Sequence, residues 1–325
     1  MANIERFQVI IIIGAMMIGL GLGQVTIFED NFGALVTPFL FVMLFGAFLN
    51  IPLGDFGKAL GNVRFSMTVV VVNFVWTPLL VWALGGIFLD DPIMQIGFIM
   101  LMVTPCTDWY LIFTANAKGN VPLSASVLPV NLILQVVLLP VYLFIFTGAS
   151  NVSIDAMDLI KSILVMLVIP FSLAQVGKHL LRRKGNEEGS KRTLGFFSSM
   201  QTMLLALAIM AMFTSKGNDL IENMDVVLLL IIPIFLFYVI NFMIAHAIGR
   251  RFRYAYEDTT SLVFTTIAKN SPMTLGVALV AFPDQPLIHL IMVIEPLIEL
   301  PVMFMVTRIV LRIRGRVEGA ERPVD

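Results

Sequence analysis

The chain has 325 residues, of which 58% are hydrophobic and only 13% charged, and its mean hydropathy is +0.92. Soluble domains carry about a quarter of their residues charged, so this composition excludes a soluble globular protein and points to the bilayer as solvent. One cysteine excludes an internal disulfide framework and any multi-cysteine zinc site, while a net charge of −1 excludes nothing by itself.

In chain order, Arg6 precedes an apolar run to Ile27 that mimics a secretory leader. The run is about twenty residues long and no small-x-small cleavage site follows, so it reads as a retained first helix. Ten apolar stretches are expected to span the membrane: 7–27, 32–51, 65–89, 93–117, 121–146, 159–181, 196–213, 226–249, 259–282 and 287–311. Most connections are short and turn-like, such as Glu29-Asp30-Asn31, Asp90-Asp91-Pro92 and Lys118-Gly119-Asn120. The longest, 178–195, is basic and falls near the middle. Every Lys and Arg except Lys161, Lys216 and Lys269 lies at the N-terminus, on an even-numbered connection or in the C-terminal tail. The positive-inside rule then places both termini in the cytoplasm of a multi-pass protein of the cytoplasmic (inner) membrane.

Division at the long connection leaves five spans on each side. Repeat one covers about 1–150, within a first part of five to six helices at 1–180, and repeat two covers 151–325. An odd number of spans per half inverts the second half relative to the first. The fold class expected is therefore an all-α membrane protein of ten helices in two inverted five-helix repeats.

The fourth span of each half is interrupted. Thr104-Pro105-Cys106-Thr107-Asp108-Trp109 breaks one, and Thr265-Thr266-Ile267-Ala268-Lys269-Asn270-Ser271-Pro272 breaks the other. A proline inside a helix removes a hydrogen bond and clashes with the preceding turn. Broken backbone at membrane depth survives only in a protein-enclosed or watery cavity, and paired breaks in two halves point to a transporter's binding site. Asp108 and Lys269 are opposite charges within these spans, and an intramembrane ionisable residue calls for a partner, so the two are expected to pair.

The tenth span carries Glu295 and Glu299, four apart on one helix face, with Pro296 and Pro301 interleaved. An acid at the bilayer centre costs roughly 2.5–3.5 kcal/mol on the insertion scale. These acids could cap freed helix ends, pair with Lys269 or carry a transported proton. Asn73, Asn131, Gln135 and Asn241 suit interhelical hydrogen bonding, with Asn131 and Gln135 on one face after the first break. Cys106 reads equally as a small buried hydrophobe or as a contact to cargo. His246 and His289, toward span ends, read as interfacial. An intramembrane enzyme using Asp108 and a glutamate as paired acids is the rival from another class. No H-E-x-x-H and no Walker motif is present, which argues against a zinc hydrolase and against direct ATP drive.

These residues resemble the bile acid/sodium symporter superfamily and, within it, the arsenite-efflux permeases. Phe45-Gly46-Ala47-Phe48-Leu49-Asn50-Ile51-Pro52-Leu53-Gly54-Asp55-Phe56 is similar to the superfamily's second-span exit. Asn73-Phe74-Val75-Trp76-Thr77-Pro78-Leu79-Leu80 resembles the permeases' third span, and Cys106 falls on their single essential cysteine. Ala117-Lys118-Gly119-Asn120 and Gln135-Val136-Val137 continue the match, and Glu295-Pro296-Leu297-Ile298-Glu299-Leu300-Pro301-Val302 resembles their G-P-L-I/V-E-V-P. The resemblance implies a core domain of spans three to five and eight to ten and a panel domain of spans one, two, six and seven.

Departures bear on the coupling ion. The permeases' acid after the ninth-span asparagines is absent, since Asn270-Ser271 is followed by Pro272, and their arginine before the cysteine is Pro105. The sodium motif E-x-x-x-Q-N-S-G becomes Thr265, then Lys269-Asn270-Ser271-Pro272, so a carboxylate is lost and an ammonium is gained. A fixed cation repels sodium there.

The function expected is proton-coupled efflux of arsenite or a related small solute, by antiport, with cation-coupled uptake of a small organic anion as the alternative. Cys106, Thr104, Thr107, Asn270, Ser271 and Asn73 would meet the substrate. Asp108, Lys269, Glu295 and Glu299 would handle charge, supported by Asn131, Gln135 and Thr265, with Pro105 and Pro272 as the breaks. The expected partners are a small molecule or oxyanion, protons rather than sodium, and the lipid bilayer. Neither nucleic acid, a metal nor a cofactor is expected.

Overall fold

A computed structural model describes residues 2–51, 60–107, 109–149, 156–183, 187–222 and 224–320. Asp108, residues 52–56 of the second-span exit and residues 184–186 of the basic connection therefore lie outside the described residues. Among those described the protein is helical, with no strand and one isolated antiparallel bridge.

Among the described residues twelve α-helices follow in order. They are α1 (Ala2–Leu22), α2 (Thr26–Asn50), α3 (Val63–Phe88), α4 (Pro92–Met102), α5 (Trp109–Asn116) and α6 (Val121–Ala149). Then come α7 (156–183), α8 (Glu187–Glu222), α9 (Met224–Phe252), α10 (Tyr256–Ile267), α11 (Ser271–Ala281) and α12 (Pro286–Ala320). Among the described residues seven helices, α2, α3, α6, α7, α8, α9 and α12, are long and apolar enough to cross a membrane. Shorter apolar helices lie within α1, α4 and α11. Large apolar side chains such as Met17, Leu79, Val137, Phe144 and Met243 are more than half exposed, as expected of helices whose outer solvent is hydrocarbon. The protein is a multi-pass membrane protein.

Two groups of helices are evident from their packing. α2 lies between α8 and α7, and α1 packs on α8. In the other group α12 packs on α4, α11 and α9, α3 packs on α4 and α9, and α6 packs on α4, α5 and α10. Contacts of α11 with α2 and α7, and of α8 with α12, join the groups. Glycine allows the closest approach: a Cβ on Gly19 would lie 2.6 Å from the Met210 carbonyl oxygen, and one on Gly23 2.7 Å from that of Thr214. Small residues four apart let helix backbones meet where lipid offers no hydrophobic drive to association.

The first connection differs from expectation. The turn lies at Gly23-Gln24-Val25, and Glu29-Asp30-Asn31 is helical within α2. The helix starts at Thr26, so the connection expected at 29–31 lies inside it. Most of the expected 178–195 connection is likewise helical, because α7 runs to Arg183 and α8 starts at Glu187.

Two helices contain wide π turns, at Val72–Trp76 in α3 and Leu164–Val168 in α7. Such turns recur at functional sites. The first is met by Tyr142, whose hydroxyl donates to the Phe74 carbonyl at 2.5 Å.

Candidate functional site

The two broken spans meet. α4 ends at Met102 and α5 begins at Trp109, while α10 ends at Ile267 and α11 begins at Ser271. The intervening strands of backbone run antiparallel and pair at Pro105 and Lys269. Cys106 N–H donates to the Ala268 carbonyl and Asn270 N–H to the Thr104 carbonyl, each at 3.0 Å. Pro105 and Lys269 are thus the opposed pair whose own backbone groups point outward. Proline has no N–H to lose on that outward side. The outward Lys269 N–H donates to Glu299 Oε1 at 2.8 Å.

Side chains complete the junction. Asn270 caps α11, accepting from Met273 N–H at 3.3 Å, and its Nδ2 donates to Thr107 Oγ1 at 3.1 Å. Thr104 Oγ1 donates to the Leu101 carbonyl at 2.8 Å and shares a 2.8 Å hydrogen bond with Thr274 Oγ1. Ser271 Oγ donates to Glu295 Oε2 at 2.5 Å, and the Tyr238 hydroxyl donates to Glu295 Oε1. Both Glu295 oxygens are therefore engaged in hydrogen bonds.

Lys269 is buried. Its ammonium lies 3.4 Å from the Thr266 carbonyl and 4.6 Å from the centre of the Phe237 ring. It sits at the C-terminal end of α10, where the helix dipole and free carbonyls favour a cation. Asp108, the partner expected from sequence, lies outside the described residues.

A cavity opens beside the junction. Cys106, Thr107, Lys269, Asn270, Ser271 and Glu299 line one side, Gln201 and Thr202 of α8 with Met43 and Phe48 of α2 the other. The space open to the centres of water-sized molecules is about 30 Å³. One ordered water needs roughly 10–15 Å³ by that measure, so the cavity takes two waters or one solute of similar size. Glu299 lines the cavity and Glu295 does not, which separates two acids that sequence spacing treats alike.

The other expected residues lie further out. Asn73, in the π turn of α3, donates from Nδ2 to the Thr265 carbonyl at 3.2 Å, and Thr265 Oγ1 donates to Ser261. Trp76 Nε1 donates to Asn241 Oδ1 at 2.9 Å, the interhelical role expected of that asparagine. Asn131 and Gln135 are buried on α6, with no hydrogen-bond partner for their amide atoms among the described residues. His289, expected at an interface, is buried with Nε2 3.3 Å from the Ala278 carbonyl. Sequence reading missed Tyr238, Phe237, Thr274, Gln201, Thr202 and Trp109 as neighbours of the site. Only Tyr238, a hydroxyl in mid-span, carried a signal.

Two interrupted helices meet beside a small cavity in a multi-pass membrane protein, and the family that the chain matches makes this a membrane transporter. The model of the sodium bile acid symporter family matches residues 37–223, and the chain belongs to that family. It is 26% identical to the uncharacterised protein YbaS of Bacillus subtilis, over 76% of this chain and 80% of that one. It is 25% identical to the arsenical-resistance protein Acr3 of Corynebacterium glutamicum, over 72% of this chain and 66% of that one. A second arsenical-resistance protein Acr3, from Alkaliphilus metalliredigens, is 19% identical over 95% of this chain and 93% of its own length.

Proposed function

We propose that the protein is a proton-coupled exporter of arsenite, or of a small solute of the same size, in the cytoplasmic membrane. The observation that carries this is the small cavity that has Cys106, Thr107, Asn270, Lys269 and Glu299 in its wall. Arsenous acid is a small neutral triol at neutral pH. The Cys106 sulfur takes one arsenic coordination position as a hydroxyl leaves as water with the thiol proton, and the reverse step releases the cargo. Thr107 and Asn270 supply a hydroxyl and an amide to the remaining oxygens.

Charge coupling follows from Lys269 and Glu299. The ammonium occupies the cation-favouring end of α10, which leaves sodium no vacancy there. Glu299 borders the cavity and carries the proton, whereas Glu295, held by Tyr238 and Ser271, stays a fixed anion opposite Lys269. Asp108 shares in this charge balance. Pro105 and Pro272 set the breaks, and Asn73, Thr265, Asn131 and Gln135 support them.

The architecture proposed is ten spans in two inverted repeats, with α4–α5 and α10–α11 as the broken fourth spans and both termini cytoplasmic. α3–α6 and α9–α12 form the core, α1, α2, α7 and α8 the panel. The cavity lies between the two, and their relative movement exposes it to either side.

Uptake of a small organic anion is the second reading, favoured by the buried Lys269 ammonium and the α11 N-terminus at the cavity wall. Proteoliposomes decide between them, with arsenite, antimonite and small carboxylates offered under separate proton and sodium gradients. Arsenite flux driven by a pH gradient, indifferent to sodium and lost in Cys106→Ser, is the expected result. Saturable stimulation by sodium at fixed pH refutes the coupling, and carboxylate flux that survives Cys106→Ser establishes the second reading.

A further inference from the structure

A second cavity lies on the outside of the seam between the two helix groups. Leu132, Val136 and Val137 of α6 form one wall, Leu167 and Val168 of the α7 π turn another, and Phe48 and Phe171 close its end. Its volume is about 140 Å³ and no polar surface lines it. An apolar cavity of roughly 150 Å³ stays dry and is large enough for benzene, so water is excluded here. The rim residues Val137 and Ile133 are 57% and 45% exposed, within the membrane-crossing part of α6. The mouth therefore opens on hydrocarbon. The wide turn of α7 sets the shape, because Leu167 and Val168 belong to it.

We propose that this crevice binds one acyl chain of a membrane lipid. An acyl chain is apolar along its length and thin enough to enter from the side. The inner end of the chain meets Phe48, whose ring stands edge-on to Phe171 at 5.6 Å. Phe48 also lines the cavity beside Cys106, so a single ring separates the two spaces. An acyl chain in the crevice backs that ring and occupies the seam, and movement of α2 and α7 against α6 displaces it. Binding is independent of what the transporter carries.

The test uses the full chain in liposomes containing phosphatidylcholine with dibrominated acyl chains, which quench nearby indoles. Val141→Trp places a reporter one helical turn beyond the rim, and Leu79→Trp places one on the lipid-facing side of α3, both with the wild-type signal subtracted. The Val141 reporter is expected to be half-quenched at about threefold lower mole fraction of brominated lipid, equivalent to about 0.7 kcal/mol of preference. Adding Val136→Phe, or Val168→Phe from the opposite wall, fills the crevice and is expected to bring the two curves together. Coincident curves in the single variants overturn the proposal. A separation that persists in whichever filled variant folds overturns it equally.

Discussion

Replacing Lys269 by methionine removes the ammonium but keeps a flexible chain against Phe237. In the native junction that ammonium has one carbonyl at 3.4 Å and one aromatic face at 4.6 Å, and the backbone N–H of the same residue holds the Glu299 carboxylate at 2.8 Å. Removing one member of a buried pair costs about 3–5 kcal/mol, since the survivor is left uncompensated. Glu299→Gln is the informative partner, because the glutamine oxygen still accepts the Lys269 N–H now held at 2.8 Å while the charge is gone. Lys269→Met is expected to destabilise by about 3–5 kcal/mol and Glu299→Gln by about 3 kcal/mol, since Glu295 still faces the lysine. The double variant should cost about 2 kcal/mol less than the sum, within the range seen for contacting groups. Unfolding in graded detergent–lipid mixtures measures all three. A coupling below about 0.5 kcal/mol means the two charges act independently, and the reasoning fails.

Asn270→Ala loses the α11 cap and the bond to Thr107, about 1 kcal/mol each, so it should cost about 2 kcal/mol where Thr107→Val costs about 1, read by the same unfolding assay. Gly19→Ala must push its new Cβ against the Met210 backbone, whereas on Gly97 the 2.7 Å neighbour is only the Ile291 side-chain tip. The first is expected to cost about 1–3 kcal/mol and the second less than 1, and equal thermal shifts would refute the distinction. Tyr142→Phe strands the Phe74 carbonyl of the α3 π turn, and about 1 kcal/mol of stability should go with it. Faster amide exchange over 72–77 than in the rest of α3 locates that loss.

The apolar stretches and the two proline-marked breaks were legible because span length and helix interruption are local properties of a sequence. The first boundary was not, since Glu29-Asp30-Asn31 suits a helix start as well as a loop, and the Gly19–Gly23 face that places α1 against α8 decides nothing until α8 is in place. The hydroxyl that meets the π turn of α3 comes from 68 residues away. At the site, helical spacing put Glu295 and Glu299 on one face but could not divide their work. That division comes from Tyr238 and Ser271 on one acid and the Lys269 backbone on the other. Glu299 reaches a group 30 residues away, a distance no local pattern encodes.

Two of the bonds that join the broken spans run entirely between main-chain atoms, from Cys106 to Ala268 and from Asn270 to Thr104. They act as a register lock that is blind to side-chain chemistry. A slip of one residue would break both and turn Lys269 to the opposite side of its strand. A substitution leaves them standing. Deletion of one residue within 104–107 or 267–270 is thus far more damaging than exchange of the side chains that face the cavity. The frame stays fixed while the side chains that face the cavity are free to change, which is the latitude a transporter fold needs to acquire new substrates without being rebuilt.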